Sequence, residues 1–176
     1  MKTVRPCVFE TNSSSTHSLT MVAASRWDDF ENGKGMYSTE HEDLFTVSDM
    51  YKMFLEGDQD GDYKSDEYEK YLAENRAEKL TAEEFEFVIQ NYKVARRCYS
   101  HDRYELTESF KKEITDKFGE NTHLNREVFE FIGQWLSENG MQTCEEWKDD
   151  DEKEWFSYEQ TIEGVNVVAF GKYGWG

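Results

Sequence analysis

The sequence predicts an α+β fold, in which strands near both ends of the chain form a small antiparallel sheet packed against a central set of about five helices. Three observations lead there. Apolar residues through the middle of the chain recur at helical spacing, whereas both ends alternate in the manner of strands. Capping residues precede the helical stretches, and glycines follow several of them. One short turn signal, Glu163-Gly164, divides the C-terminal strand pattern.

Val4–Phe9 reads as a short strand and Ser18–Val22 as a second, with a hydroxyl-rich connection between them. Ser25 is placed to cap a helix over Arg26–Glu31, with Trp27 and Phe30 as its apolar contacts and Gly33 as its stop. Met36–Tyr37 is a third brief strand. Ser48 caps a helix carrying Met50, Tyr51, Met53, Phe54 and Leu55, and Ser65 caps another with Tyr68, Tyr71 and Leu72. Thr81-Ala-Glu-Glu84 fits a capping box, in which hydroxyl and carboxylate each take up an orphan amide, and Phe85, Val88, Ile89 and Tyr92 follow it. Thr107 starts a helix in which Phe110, Ile114 and Phe118 repeat, with Gly119 as its stop. Asn125 starts a longer one with Val128, Phe129, Ile132, Trp135 and Leu136, ending near Gly140. Trp155–Ile162, Glu163-Gly164 and Val165–Phe170 read as a β-hairpin, although glutamate disfavours the positive φ of such a turn.

The chain has 176 residues, which suits a single acidic domain over residues 1–176. Its 12 Phe, 10 Tyr and 5 Trp set it apart from disordered acidic chains, which are poor in aromatics. No unbroken apolar run approaches the ~20 residues of a membrane span, and Met1–Pro6 carries no apolar stretch behind its positive charges. A cytoplasmic protein is expected. Cys7, Cys98 and Cys144 form no Cys-x-x-Cys pair, so buried reduced thiols are expected rather than disulfides or a cysteine zinc site.

The net charge is -18, and it is concentrated. Residues 28–49, 56–86 and 145–154 carry -6, -8 and -5, leaving +1 for all the rest. Residues 93–117 run slightly basic. On a domain with a radius of gyration of ~16 Å, such a field repels phosphate backbones over a Debye length of ~8 Å. Direct nucleic-acid binding through these tracts is therefore disfavoured, and attraction to a basic groove is favoured. Acidity that serves only solubility is the plain alternative. The expected partner-binding residues are Asp58, Asp60, Asp62, Asp66, Glu67, Glu69, Asp149, Asp150, Asp151 and Glu152, with Trp147 and Trp155 as nearby anchors.

Two further segments carry chemistry. In Asn12, Ser13, Ser14, Ser15, Thr16 and His17, hydroxyls, amides and an imidazole can converge on a phosphate-like anion; equally, these side chains can fold back onto their own backbone. A small phosphate- or nucleotide-binding protein or enzyme using this loop is the alternative function, with His17 as base or electrostatic stabiliser. No Gly-x-Ser-x-Gly elbow, Gly-x-Gly-x-x-Gly or Walker sequence is present. Residues 56–67 can be laid on the calcium-binding EF-hand loop, with Glu56, Asp58, Asp60, Asp62 and Glu67 as ligands and Gly61 at the sharp turn. Glu56 in place of the first aspartate and Tyr63 at the eighth position depart from that pattern, and a solvated acidic turn accounts for the same residues. No other cofactor is expected.

The string from Phe9 through Glu10, Thr11, Asn12, Ser13, Ser14, Ser15, Thr16, His17 and Ser18 to Leu19 resembles the opening of a family of small phage and prophage proteins. There, as here, a strand, a short tryptophan-bearing helix and another strand follow. The resemblance implies a mobile-element origin and a bacterial cytoplasm, and no particular reaction. Some phage proteins of this size and acidity inhibit host defence nucleases, type II CRISPR effectors among them. The leading expectation is accordingly an anti-CRISPR-like, anti-defence protein that binds the basic, nucleic-acid-handling surface of a host nuclease, without catalysis of its own.

Overall fold

The computed structural model describes residues 15–17, 19–56, 64–75, 78–97, 106–149 and 153–175. In chain order its elements are β1 (Ser15–His17), β2 (Thr20–Ala23), α1 (Ala24–Glu31), β3 (Gly35–Ser38), β4 (Asp43–Thr46), α2 (Val47–Glu56), α3 (Lys64–Asn75), α4 (Ala82–Arg97), α5 (Glu108–Phe118), α6 (Arg126–Glu138), β5 (Met141–Gln142), α7 (Cys144–Lys148), β6 (Glu154–Ile162) and β7 (Val165–Trp175). The fold is α+β, as the sequence predicts. Contacts divide the chain into two units, Met1–Thr46 with Asn139–Gly176, and Val47–Glu138.

The first unit holds the strands. β7 is its spine: β6 pairs with it antiparallel along one edge, while β1 and β2 pair antiparallel along the other. Ser15 lies opposite Trp175 and Ala23 opposite Val167 in one unbroken register, so β1 and β2 are two stretches of a single interrupted strand. Terminal strands thus share a sheet, as expected from their alternation. A second antiparallel sheet, ordered β4-β3-β5, was not legible in the sequence beyond Met36–Tyr37. The inner face of the larger sheet is covered by α1 and α7: Val22, Val168 and Phe170 pack with Trp27, Phe30, Tyr37, Leu44 and Trp147. Ser25 is not the cap of α1. The helix begins at Ala24 with Ala23 as an N-cap that makes no side-chain bond. Val4–Phe9 lies outside the described residues.

The β6–β7 turn holds Glu163 at φ 51° and Gly164 at φ 82°, the two positive values that match the twist of a two-residue hairpin. Glycine occupies such a φ freely; glutamate does not. Glu163→Asn should therefore raise the thermal midpoint, stabilising by roughly 0.5–1 kcal/mol. A lower midpoint would show that the glutamate makes a compensating contact.

The second unit is the set of five central helices, α2 to α6. Thr81 and Glu84 form the expected capping box: the Thr81 amide donates to the Glu84 carboxylate at 2.9 Å and the Glu84 amide to the Thr81 hydroxyl at 3.2 Å. The Thr81 hydroxyl also lies 3.1 Å from that buried carboxylate, and the Thr122 hydroxyl adds a third donor to it at 3.1 Å. α4 is buried on more than the one stripe its spacing suggests. Phe85 meets Tyr51, Phe54 and Trp135, while Phe87 stacks on Phe110 and meets Phe118 edge-on. Leu80, in the connection before α4, has both backbone groups satisfied by tyrosines: Tyr51 donates to its carbonyl at 2.6 Å, and its amide donates to the Tyr68 hydroxyl at 3.3 Å. Burial pushes the Tyr68 hydroxyl up to about 12.

Candidate functional site

The first unit presents an acidic turn between β3 and β4. Antiparallel pairing of Ser38 with Asp43 leaves Thr39–Glu42 as the connection. Ser38 is fully buried; its hydroxyl donates to the Asn139 carbonyl at 2.7 Å and accepts the His41 amide at 3.1 Å. The Thr39 amide donates to the Gly140 carbonyl at 3.0 Å, and the Thr20 hydroxyl to the Glu42 carbonyl at 3.3 Å. Asp43 turns one carboxylate oxygen back onto the Leu44 amide at 2.7 Å. The turn is thus fixed by bonds from two other segments, Asn139–Gly140 and Thr20. Its carboxylates, Glu40, Glu42 and Asp43, stay exposed, and among the described residues no ion pair neutralises any of them. Their field reaches inward. Burial raises the Tyr37 hydroxyl first, Glu42 and Asp43 raise it further, and its bond with Thr20 acts the other way.

By contrast, the acids on α1 are partly balanced. Lys148 bonds Glu31 at 2.8 Å and lies 4.4 Å above the Trp155 ring. Burial works against the Lys148 charge, but Glu31 and the Cys144 thiol outweigh it and hold its pKa up. Burial also pushes the Cys144 thiol up, so this half-buried cysteine is poorly activated.

Of the sequence-predicted partner residues, Asp66, Glu67 and Glu69 lie on α3, where Glu69 is exposed and ion-paired with Lys79. Asp149 is exposed at the C-cap of α7, its amide donating to the Glu145 carbonyl at 2.9 Å. Asp58, Asp60, Asp62, Asp150, Asp151 and Glu152 lie outside the described residues. Trp147 is not an anchor at the surface. It is 3% exposed, ringed by Trp27, Phe30, Tyr37, Trp155 and Phe170, because α7 lays it onto the sheet. Trp155, at the edge of that cluster, is 41% exposed and keeps the part of an accessible aromatic.

Asn12, Ser13 and Ser14 lie outside the described residues, and Ser15, Thr16 and His17 are strand rather than loop. Their backbone pairs with Trp175, Gly174 and Tyr173. A nest for an anion needs successive amides turned the same way, whereas a paired strand turns them alternately. In the calcium-loop segment, Glu56 ends α2 and Glu67 falls within α3, while residues 57–63 lie outside the described residues. No group of three or more histidines, cysteines or acids stands ready for a metal among the described residues. No helix among them is long and apolar enough to cross a membrane.

The outer face of the larger sheet carries a further feature. Val168 and Phe170 of β7 face the core, so Val165, Val167 and Ala169 face the other way. Register puts Tyr158 opposite Ala169 and Ile162 opposite Val165 on one side of β7, and Met21 opposite Ala169 on the other. This outer face is apolar and open: Met21, Tyr158, Ile162 and Val165 are 46%, 64%, 40% and 56% exposed. The signal was in the parity of β6. Phe156, Tyr158 and Ile162 share one face of that strand with Glu154 and Gln160, and Ser157, Glu159 and Thr161 share with Trp155 the face it turns toward the core side. Comparison with known proteins finds no family model, no curated protein and no solved structure that matches the chain.

Proposed function

We propose that this chain is a binding protein that occupies a basic, nucleic-acid-handling surface of a partner, acting as an inhibitor of a host nuclease in the manner of anti-CRISPR proteins. The observation that carries the reading is the fixed turn holding Glu40, Glu42 and Asp43 exposed and, among the described residues, without ion pairs, on a chain of net charge -18. Carboxylates carried on a turn whose backbone is already fixed stand in for phosphates: the backbone is ordered before binding, and a cationic groove supplies counter-charges. Asp149 adds an exposed carboxylate elsewhere on the chain.

The test uses the full chain as bait in bacterial lysate, beside a variant with Glu40, Glu42 and Asp43 changed to lysine. The expected result is capture of a nucleic-acid enzyme by the wild type, displacement of the bait by nucleic acid, and loss of the enzyme's cleavage when the chain is added. Affinity should fall about tenfold or more between low and physiological salt, and comparably in the lysine variant. An affinity indifferent to both salt and charge reversal rules the mechanism out.

A further inference from the structure

We propose that the free edge of β6 takes up an extended segment of a cationic partner as an added strand, with the apolar outer face of the hairpin flanking it. This rests on the proposed function for the sign of the partner's charge and goes beyond it in naming a backbone-mediated contact. β6 pairs only with β7 among the described residues. Glu163-Gly164 is a two-residue turn, so Ile162 and Val165 are the bonded pair beside it. Bonded and non-bonded pairs then alternate, which leaves Trp155, Ser157, Glu159 and Thr161 with amides and carbonyls directed to the open edge. The Thr161 hydroxyl bonding Asn166 Oδ1 across the strands at 2.8 Å fits that alternation, since side chains approach closest in a non-bonded pair.

Lysine, proline and bulges, which commonly blunt an exposed edge, are absent from β6: Glu154–Ile162 runs nine residues in one constant register, and its only charges are the carboxylates of Glu154 and Glu159. Its two faces specify what it accepts. Tyr158 and Ile162, with Val165 of β7, offer exposed apolar surface on one side. Glu159, exposed and without an ion pair among the described residues, stands on the other, and Glu163 lies at the turn. A second copy of the chain would set these glutamates against their own kind, with -18 on each body. Charge complementarity selects instead a strand that alternates basic and apolar residues, lysine or arginine toward Glu159 and apolar groups beside Tyr158.

The experiment titrates the isotope-labelled full chain with an end-blocked peptide alternating lysine and valine, and with its glutamate–valine counterpart. Amide shifts and hydrogen exchange are read along β6. The expected result is protection of the Ser157, Glu159 and Thr161 amides by the lysine peptide, with the glutamate peptide bound at least about tenfold more weakly. Ser157→Pro removes one outward amide and leaves every β7-bonded residue in place, so it should weaken the lysine peptide about tenfold with hairpin shifts retained. Tyr158→Ser should weaken it through the apolar side. Lysine-peptide binding that Ser157→Pro leaves unchanged overturns the edge, while the acidic surface of the proposed function survives. Equal binding of both peptides overturns the choice of a cationic occupant. Concentration-dependent dimers with the same amides protected overturn it in favour of a second copy.

Discussion

Replacing Trp147 with alanine should cost the strand-containing unit about 3–5 kcal/mol, the range for truncating a large buried aromatic. The ring is 3% exposed and sits where α1, α7 and both sheets converge, within 6.4 Å of five other aromatic centroids. The Lys172 ammonium lies 5.1 Å above it. No neighbour can close the space, because Phe30 and Phe170 are themselves fully buried and already in contact with other rings. Trp147→Phe keeps part of the area and should lose about 1–3 kcal/mol. Against a total of ~5–15 kcal/mol for a domain, the alanine variant leaves little reserve. Hydrogen exchange at the Val168 and Phe170 amides reads the loss where it occurs. The alternative, a tryptophan kept for partner contact, predicts unchanged exchange with binding lost. That outcome would overturn the core assignment.

How far the sequence reached depended on how much of each element's signal is local. Thr81-Ala-Glu-Glu84 was readable because an apolar stripe follows it. Thr143-Cys-Glu-Glu146 has the same pattern and makes the same pair of bonds, the Thr143 amide to Glu146 at 2.9 Å and the Glu146 amide to Thr143 at 3.3 Å. It went unread because α7 lasts only five residues and runs into acids, so no period marks it. Without a period to mark α7, Trp147 reads from the sequence as a surface residue. β4 and β5 were missed for a related reason: with four and two residues, their pairing with β3 is a property of the fold and not of their spacing. The hairpin was legible from its turn, and β2 from its alternation.

The candidate site was less legible than the fold. Charge counting found residues 28–49 acidic, yet nothing in the count separates Glu31, which Lys148 neutralises, from Glu40 and Glu42, which no described residue pairs. That difference depends on Ser38 and Thr39 bonding residues about a hundred positions away, Asn139 and Gly140. The hydroxyl-rich segment differs in the opposite direction at Ser15–His17. Its composition suggests a loop, but Ser15–His17 continues the register of β2, and pairing to β7 overrides local turn preference there. Which β6 amides point away from β7 follows from register, which the two-residue turn fixes.

Phe85→Ala should be the corresponding lesion in the helical unit, again at about 3–5 kcal/mol. Phe85 is 0% exposed and immediately follows Glu84, so one residue of the capping box sits beside the largest fully buried ring of α4. Its partners come from two other helices, Tyr51 and Phe54 of α2 and Trp135 of α6, at centroid distances of 5.4, 5.4 and 6.4 Å. Truncation therefore opens a space lined by aromatics, whose flat rings relax into it less readily than flexible aliphatic chains. Phe85→Leu fills part of that space and should cost only about 1–2 kcal/mol. The cap is a separate and smaller term: Thr81→Ala removes the hydroxyl that receives the Glu84 amide and should cost about 1 kcal/mol. Because cap and ring share the start of α4, the double variant tests whether they act independently. A loss smaller than the two single losses combined would mean that the cap holds only while the ring orders the first turn. Denaturant unfolding followed through α4 amide exchange separates the cases, and a Phe85→Ala loss below about 1 kcal/mol would place the core of this unit elsewhere.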